Sequence, residues 1–138
     1  MITSDRQYQT ARGKLKMLEA SGNAPSKSGV ANAIANAAKS QINELAEELR
    51  IEISEYEKIR DMQPDEVPIQ SIDDLMVAPI RYRIASNMSA EAFARMVGVS
   101  VRQILRYESQ GYQNSSVPNL RKILARLNIR LHGKVESG

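Results

Sequence analysis

The chain has 138 residues, of which 42% are hydrophobic and 25% are charged, and it contains no cysteine. This length holds one ordinary domain, or one small domain with an appended element, and the composition is typical of a folded globular chain. The lack of cysteine excludes disulfides and thiol chemistry, and no apolar run approaches the length of a membrane span. No secretory signal pattern follows Met1, so we expect a cytoplasmic protein.

The net charge of +3 conceals an asymmetry along the chain. Residues 1–66 carry a net charge of −2 and residues 67–138 a net charge of +5, while residues 78–134 alone carry +8. A local excess of positive charge suits a domain that binds a polyanion, because each neutralised phosphate releases counterions. A solvated basic surface is the alternative interpretation of the same residues.

Two helices are predicted in the amino-terminal half. The first spans residues 4–20, where apolar side chains recur at spacings of three and four. The second runs from about Ser28 to Arg60, with a near-heptad stripe formed by Val30, Ile34, Ala38, Ile42, Leu45, Leu49, Ile53, Tyr56 and Ile59. A helix this long exceeds what the first helix can cover. We therefore predict that residues 1–62 form a helical hairpin that acts as a dimerising coiled-coil element. A docking surface for another protein and a purely intrachain packing face are the alternatives.

Pro64 and Pro68 predict a linker over residues 63–70. After it, Ser71 opens a short helical turn that ends at Val77 or Ala78, and a separate helix begins at Pro79, since proline is tolerated near a helix start. A last helix is capped by Ser115 or Ser116, and residues 132–138 form a tail. Residues 71–131 are thus predicted to form a domain of about five short helices, and the fold class is all-α.

Residues 88–108 read as two short helices joined by a tight turn. Ser89 and Ser100 are placed to cap them, and Gly98 lies where the turn needs a positive φ or a close backbone approach. Ala94 sits where the two helices must cross closely. The predicted inward residues are Phe93, Val97, Val99, Val101, Ile104 and Tyr107.

This pattern resembles the helix-turn-helix of the Cro-like, Xre-type repressor family over roughly residues 79–127. The matching residues are Ala94, Gly98, Phe93, Val99, Ile104 and the pair Tyr107 and Glu108. Ala90 departs from the family pattern, which usually has a polar residue there that contacts the DNA backbone. The resemblance implies a DNA-binding domain, with Glu108 in a structural role, and antitoxins are also found in the family.

The second motif helix would present its side chains to the major groove of duplex DNA. Arg102 and Arg106 are four residues apart and share one face, so both guanidinium groups can reach guanine edges. Val101 and Leu105 are candidates for thymine methyl contacts, with packing against the preceding loop as the alternative. The predicted DNA-binding residues are Ser100, Val101, Arg102, Gln103, Leu105, Arg106, Gln113, Asn114, Ser115 and Ser116.

Catalytic, cofactor and metal sites are not predicted. His132 is the only histidine, and without a second histidine or any cysteine the common zinc patterns are missing. The carboxylates of Glu44, Glu47, Glu48 and Glu52 are interpreted as a solvated helix face.

The predicted function is that of a sequence-specific regulator of transcription that binds double-stranded DNA, not that of an enzyme. It would act as a homodimeric repressor of a palindromic operator. One alternative is an antitoxin of a type II toxin-antitoxin module, which binds its toxin through the amino-terminal helices and represses its own operon. A further alternative is a helical adaptor that binds only protein.

Overall fold

The structure is a computed structural model that describes residues 1–22 and 32–138, and every regular element within these ranges is helical. The predicted all-α fold class is therefore confirmed. The predicted start of the second helix near Ser28 lies outside the described residues. The helices are α1 (Asp5–Gly22), α2 (Asn32–Arg60), α3 (Ile72–Ala85), α4 (Ala90–Val97), α5 (Val101–Ser109) and α6 (Val117–Arg126), with a short 3-10 helix at Pro64–Glu66.

The chain forms two compact units, Met1–Asp61 and Met62–Gly138. The 3-10 helix, which falls within the predicted linker, packs against α3 of the second unit. The assignment of separate roles to the segments 1–62, 63–70, 71–131 and 132–138 stays a prediction.

In the first unit, α1 and α2 pack along each other as an antiparallel hairpin, as predicted. Tyr8 near the start of α1 donates a hydrogen bond from its hydroxyl to Glu57 near the end of α2, at 2.6 Å. At the other end of α1, Gly22 lies beside Ile42 and Asn43. The first ten residues of α2 therefore extend beyond the end of α1, as its 29 residues against 18 require.

An aromatic cluster ties the start of α1 to the end of α2. The rings of Tyr8 and Tyr56 are buried, with centroids 5.2 Å apart, and the Tyr56 hydroxyl donates a 2.6 Å hydrogen bond to Asp5. The guanidinium of Arg60 lies 4.9 Å from the centre of the Tyr8 ring, a favourable cation–π distance. Polar and apolar contacts thus combine at one end of the hairpin.

The predicted apolar stripe of α2 is partly wrong. Ile34, Ala38 and Leu45 are exposed, whereas Ala46, which lies outside the predicted stripe, is 2% exposed. Many of the buried and half-buried residues repeat every 3.5 positions, as in a coiled-coil seam: Ala35, Lys39, Ile42, Ala46, Leu49, Ile53 and Tyr56. The half-buried Glu52 and Glu57 and the buried Ile59 lie outside this repeat. Ile34 and Ala38 lie in the part of α2 that extends beyond the end of α1, and Leu45 lies beside the narrow seam that α1 covers.

The second unit corrects the predicted break at Pro79. Helix α3 runs without interruption through this proline, although proline removes one helical hydrogen bond. The Pro79 ring is fully buried beside Ile80, and the Asp74–Arg81 ion pair, at 2.9 Å, spans the proline on the same helix. Burial of the Pro79 ring compensates in part for the lost hydrogen bond. The unit consequently has four α-helices in its described residues rather than about five.

Four short helices enclose the core of the second unit. Its fully buried side chains come from every helix and from the turn before α6: Ile80, Phe93, Ile104, Tyr112 and Ile123. A serine N-cap precedes each of the four helices, and its hydroxyl oxygen accepts a hydrogen bond from the backbone N–H three residues later. The caps are Ser71, Ser89, Ser100 and Ser116, so the predicted caps are confirmed.

Tyr112 is the largest fully buried side chain, and it has a φ of +62°. Its ring lies 5.3 Å from that of Tyr107, and its hydroxyl has no hydrogen-bond partner among the described residues. Burial, with a smaller contribution from the Glu108 carboxylate, raises the pKa of the Tyr112 phenol above its ordinary value. The fold therefore favours the neutral phenol. The free energy of unfolding falls as the pH rises above about 10, because the phenol then ionises in the unfolded chain but stays neutral in the fold.

We expect Tyr112→Phe to leave the free energy of unfolding unchanged, or to raise it by up to about 1 kcal/mol, because the lost hydroxyl is buried without a protein partner. Tyr107→Phe is the matched control, since the Tyr107 hydroxyl accepts a 3.1 Å hydrogen bond from Asn119. This control should lower the free energy of unfolding by about 1 kcal/mol. Urea unfolding followed by circular dichroism measures both. A clear loss of stability in Tyr112→Phe would contradict the prediction.

Candidate DNA-binding surface

The turn between α4 and α5 holds the two helices in a compact pair. Gly98 adopts a φ of +73°, and its N–H donates to the Ala94 carbonyl at 2.9 Å. A Cβ at this position would meet no atom within 4 Å, so the turn requires glycine for its left-handed backbone and not for space. Ala94 is 2% exposed, consistent with a close helix crossing.

Helix α5 has one buried side and one exposed side. Ile104, Tyr107 and Glu108 point inward, and the predicted inward residue Val101 is only half-buried. The opposite side presents Arg102, Leu105, Arg106 and Ser109 to solvent. Arg102 and Arg106 lie one helical turn apart, so their guanidinium groups leave the helix in the same direction.

The ten predicted DNA-binding residues all lie between the cap of α5, Ser100, and the cap of α6, Ser116. Ser100 accepts the Gln103 N–H at 3.2 Å as the cap of α5, and Gln103 is half-buried. Leu105, one of the two apolar side chains predicted to contact a thymine methyl group, is 52% exposed. The role of these residues in binding stays a prediction.

The turn after α5 brings the second group of predicted residues to the end of that helix. Asn114 donates to the Arg106 carbonyl at 3.5 Å, and Ser115 donates to the Ser116 carbonyl at 3.2 Å. Ser116 caps α6 by accepting the Asn119 N–H at 3.2 Å. Gln113 and Asn114 are exposed, while Ser115 is half-buried. The capping hydroxyls accept from the backbone, and each retains a proton that it can donate to a phosphate.

A buried ion pair holds α5 against α3. The Arg83 Nη2 and Nε atoms donate to the two carboxylate oxygens of Glu108 at 2.6 and 2.7 Å, and Arg83 Nη1 donates to the Met88 carbonyl at 3.0 Å. Arg83 is 6% exposed and Glu108 is 8% exposed. Such a two-pronged pair in a dry environment fixes direction as well as distance. Glu108, for which a structural role is predicted, thus has Arg83 as its partner.

Sequence reasoning missed Arg83. Two signals were available: Arg83 recurs with Ile80 and Ile84 at helical spacing, and Glu108 is the single acidic residue between positions 92 and 135. An inward-facing arginine requires a carboxylate, and between positions 75 and 135 the sequence offers only Glu91 and Glu108. Two cations of α6, Lys122 and Arg126, line a groove beside α5 with Gln103, Tyr107 and Asn119.

The charge on the exposed side of α5 is unopposed. Glu108 is the only acidic residue of this helix, and it is buried against Arg83. Arg102 and Arg106 make no ion pair in the part of the chain that the structure describes, whereas Arg50 and Arg81 each do. Two guanidinium groups are therefore available to an anionic ligand on one short helix.

Comparison with protein families matches residues 80–133 to the model described as helix-turn-helix. The geometry and this match define a DNA-binding helix-turn-helix domain, of the class found in regulators of transcription. The chain carries this domain in its Xre/Cro-like form. Neither the curated proteins nor the solved structures gave a match to the chain.

Domains of this family bind DNA and are not typically enzymatic. In residues 1–22 and 32–138, no group of three or more acidic, histidine or cysteine side chains is arranged to hold a metal ion. None of the helices within these ranges combines the length and the apolar character needed to cross a bilayer.

We expect Arg83→Met to lower the free energy of unfolding by about 3–5 kcal/mol, because it leaves the Glu108 carboxylate buried without its partner. The double variant Arg83→Met/Glu108→Leu removes both charges and should recover more than half of this loss. Chemical unfolding of the full chain measures the three proteins. A double variant as unstable as Arg83→Met would show that shape, not charge pairing, dominates at this position.

Proposed function

We propose that the chain is a dimeric repressor that recognises a palindromic operator through the exposed side of α5. The observation that carries this proposal is the unopposed pair Arg102 and Arg106, on a helix whose only carboxylate is buried in an internal ion pair. Inserted in a major groove about 12 Å wide, this side of α5 would meet base edges directly. We also propose that the chain has no enzymatic role.

Arginine is the residue best suited to read guanine, because its guanidinium can donate two hydrogen bonds to the O6 and N7 atoms. Arg102 and Arg106, about 6 Å apart along the helix axis, would address neighbouring base pairs. Leu105 lies between them and is half exposed, so it can cover a thymine methyl group. Val101 and Gln103 flank this surface from half-buried positions.

Contacts to phosphates would orient the domain on the duplex. Ser100 stands at the amino-terminal end of α5, and Gln113, Asn114, Ser115 and Ser116 precede α6. Free backbone N–H groups and hydroxyl donors at helix starts favour phosphate oxygens. Such contacts set position and strengthen binding without reading the sequence.

A dimer would place two copies of α5 on one side of the duplex. Helix-turn-helix dimers read half-sites separated by about one helical turn, roughly 34 Å, and the two-fold axis of the protein matches that of the operator. The feature that supports self-association is the incomplete cover of α2, where Leu45 and Ile34 are exposed.

An antitoxin is the second candidate function, favoured by the same exposed apolar residues of the hairpin. Met17 is 72% exposed and Leu45 is 51% exposed, and a toxin protein could cover both. This role requires Met17 and Leu45 to be uncovered in the purified chain. A chain that stays monomeric at micromolar concentration supports it, and a dimer that covers these two side chains contradicts it.

We expect Arg102→Ala and Arg106→Ala each to lower the preference for specific over random DNA by about tenfold or more, because one bidentate guanine contact provides about 1–3 kcal/mol of discrimination. The specific probe is a duplex selected from a random library by the wild-type chain, and a scrambled duplex of equal length is the reference. Fluorescence anisotropy at fixed salt measures both affinities.

Arg121→Ala is the matched control, since Arg121 is exposed on α6 and does not line the groove beside α5. It removes the same charge and should weaken the specific and the scrambled duplex by similar, small factors. Unchanged discrimination in both α5 variants would refute the base-reading assignment. An absence of salt-dependent DNA binding by the wild-type chain would favour the adaptor that binds only protein.

A further inference from the structure

The two edges of the α1–α2 hairpin differ. One edge is closed by polar groups: Arg50 of α2 forms ion pairs with Glu19 of α1 at 3.1 Å and with Glu47 at 3.2 Å. Arg12 of α1 lies over the Tyr8 ring on the same helix at 5.6 Å. Side chains along this edge therefore have partners within the hairpin.

The opposite edge is an open, largely apolar groove. Leu18 and Leu49 are half-buried at its floor, and Met17 and Leu45 stand exposed at its sides. The groove continues along α1 past Lys14 to Ile2, so it follows most of the length of that helix. We call this surface the apolar edge; its lining is Lys14, Met17, Leu18, Leu45, Glu48, Leu49 and Glu52.

The heptad pattern of α2 indicates that more than one helix packs against it. With Ala46 and Ile53 at position a, and Leu49 and Tyr56 at position d, position g holds Ala38, Leu45, Glu52 and Ile59. A two-helix seam needs apolar residues at a and d alone, whereas a helix in a bundle has an additional apolar flanking position. In the hairpin, α1 covers the a and d seam. At position g, Ile59 is buried, Glu52 is half-buried, and Ala38 and Leu45 are exposed.

Charges beside the groove have opposite signs on the two helices. Lys14 stands on the α1 side, and Glu48 and Glu52 stand on the α2 side. Lys14 and Glu48 form no ion pair within the described ranges, while Glu52 lies 3.7 Å from the Met1 ammonium group. A surface with a basic and an acidic side is complementary to itself after a two-fold rotation.

We propose that a second copy of this chain covers the apolar edge, so that two hairpins form a four-helix bundle. In this arrangement Lys14 of each copy faces Glu48 of the other, and Met17 and Leu45 lie in the apolar centre between them. A two-fold contact repeats each pair, so every substitution acts twice. The inference rests on the proposed dimeric function and assigns the surface through which the dimer forms.

Opposite charge reversals provide the test, using the full chain and sedimentation velocity over a range of concentrations. Lys14→Glu alone and Glu48→Lys alone each turn two attractive contacts into two repulsive ones, and each should raise the Kd of the dimer about tenfold or more. An equimolar mixture of the two variants restores both attractive contacts, so a dimer with one copy of each should form at the wild-type Kd.

The matched control is Lys16→Glu, a charge reversal on an exposed position of α1 outside the apolar edge, which should leave the Kd within about twofold. Leu45→Ser should raise the Kd about tenfold or more, with the helical circular dichroism unchanged because Leu45 is already half exposed. A wild-type chain that is monomeric throughout would overturn the inference, as would variants that dimerise as the wild type does.

The outcome is independent of the test of α5. If the charge reversals leave the dimer intact while Arg102→Ala abolishes discrimination between duplexes, only the apolar edge is refuted. If the reversals separate the copies while Arg102→Ala has no effect on DNA, the apolar edge stands and the base-reading role of α5 fails.

Discussion

The buried pair of Arg83 and Glu108 is the interaction on which the DNA-binding unit depends. It joins the carboxy-terminal part of α3 to the carboxy-terminal part of α5, and a third bond from Arg83 reaches the backbone just before α4. Removing two charges from water is costly, and the two-pronged geometry together with the bond to the Met88 carbonyl offsets that cost. The same pair takes the single carboxylate of α5 away from the surface, so one contact both orients the helix and leaves its arginines unopposed.

Rigidity of the helix pair follows from small, specific features. Gly98 provides a left-handed turn, and the serine caps each accept one N–H from the first turn of their helix. Phe93 and Ile104 fill the centre without solvent exposure. On the proposed function, a side chain of α5 must meet a base at a defined place, and a helix held at both ends and along one side meets this requirement.

The two units differ in how they bury their apolar side chains. The largest fully buried side chains of the described residues all lie in the second unit, although Ile72, Leu105 and Val117 are exposed there. The hairpin leaves Met17, Ile34 and Leu45 exposed. Two helices alone have too little surface to cover one another, especially when one is 18 residues long and the other 29. An apolar groove with opposite charges at its sides is a physical reason for a hairpin to associate, and a DNA-binding unit gains from being presented in two copies.

The sequence by itself determined the helices, their caps and the turn, because these depend on neighbours within a few residues: Ser89, Gly98 and Ser100 act through local backbone geometry. It also identified Arg102 and Arg106 as a shared face from spacing alone. Tertiary structure decided the rest. Pro79 remains within a helix because its ring is buried, Ala46 replaces Leu45 in the seam because α1 covers one side only, and Arg83 turns inward to reach Glu108, 25 positions away. Helical spacing can place Arg83 on the inner face of α3, but the partner it meets is set by packing between distant segments, which periodicity does not reveal.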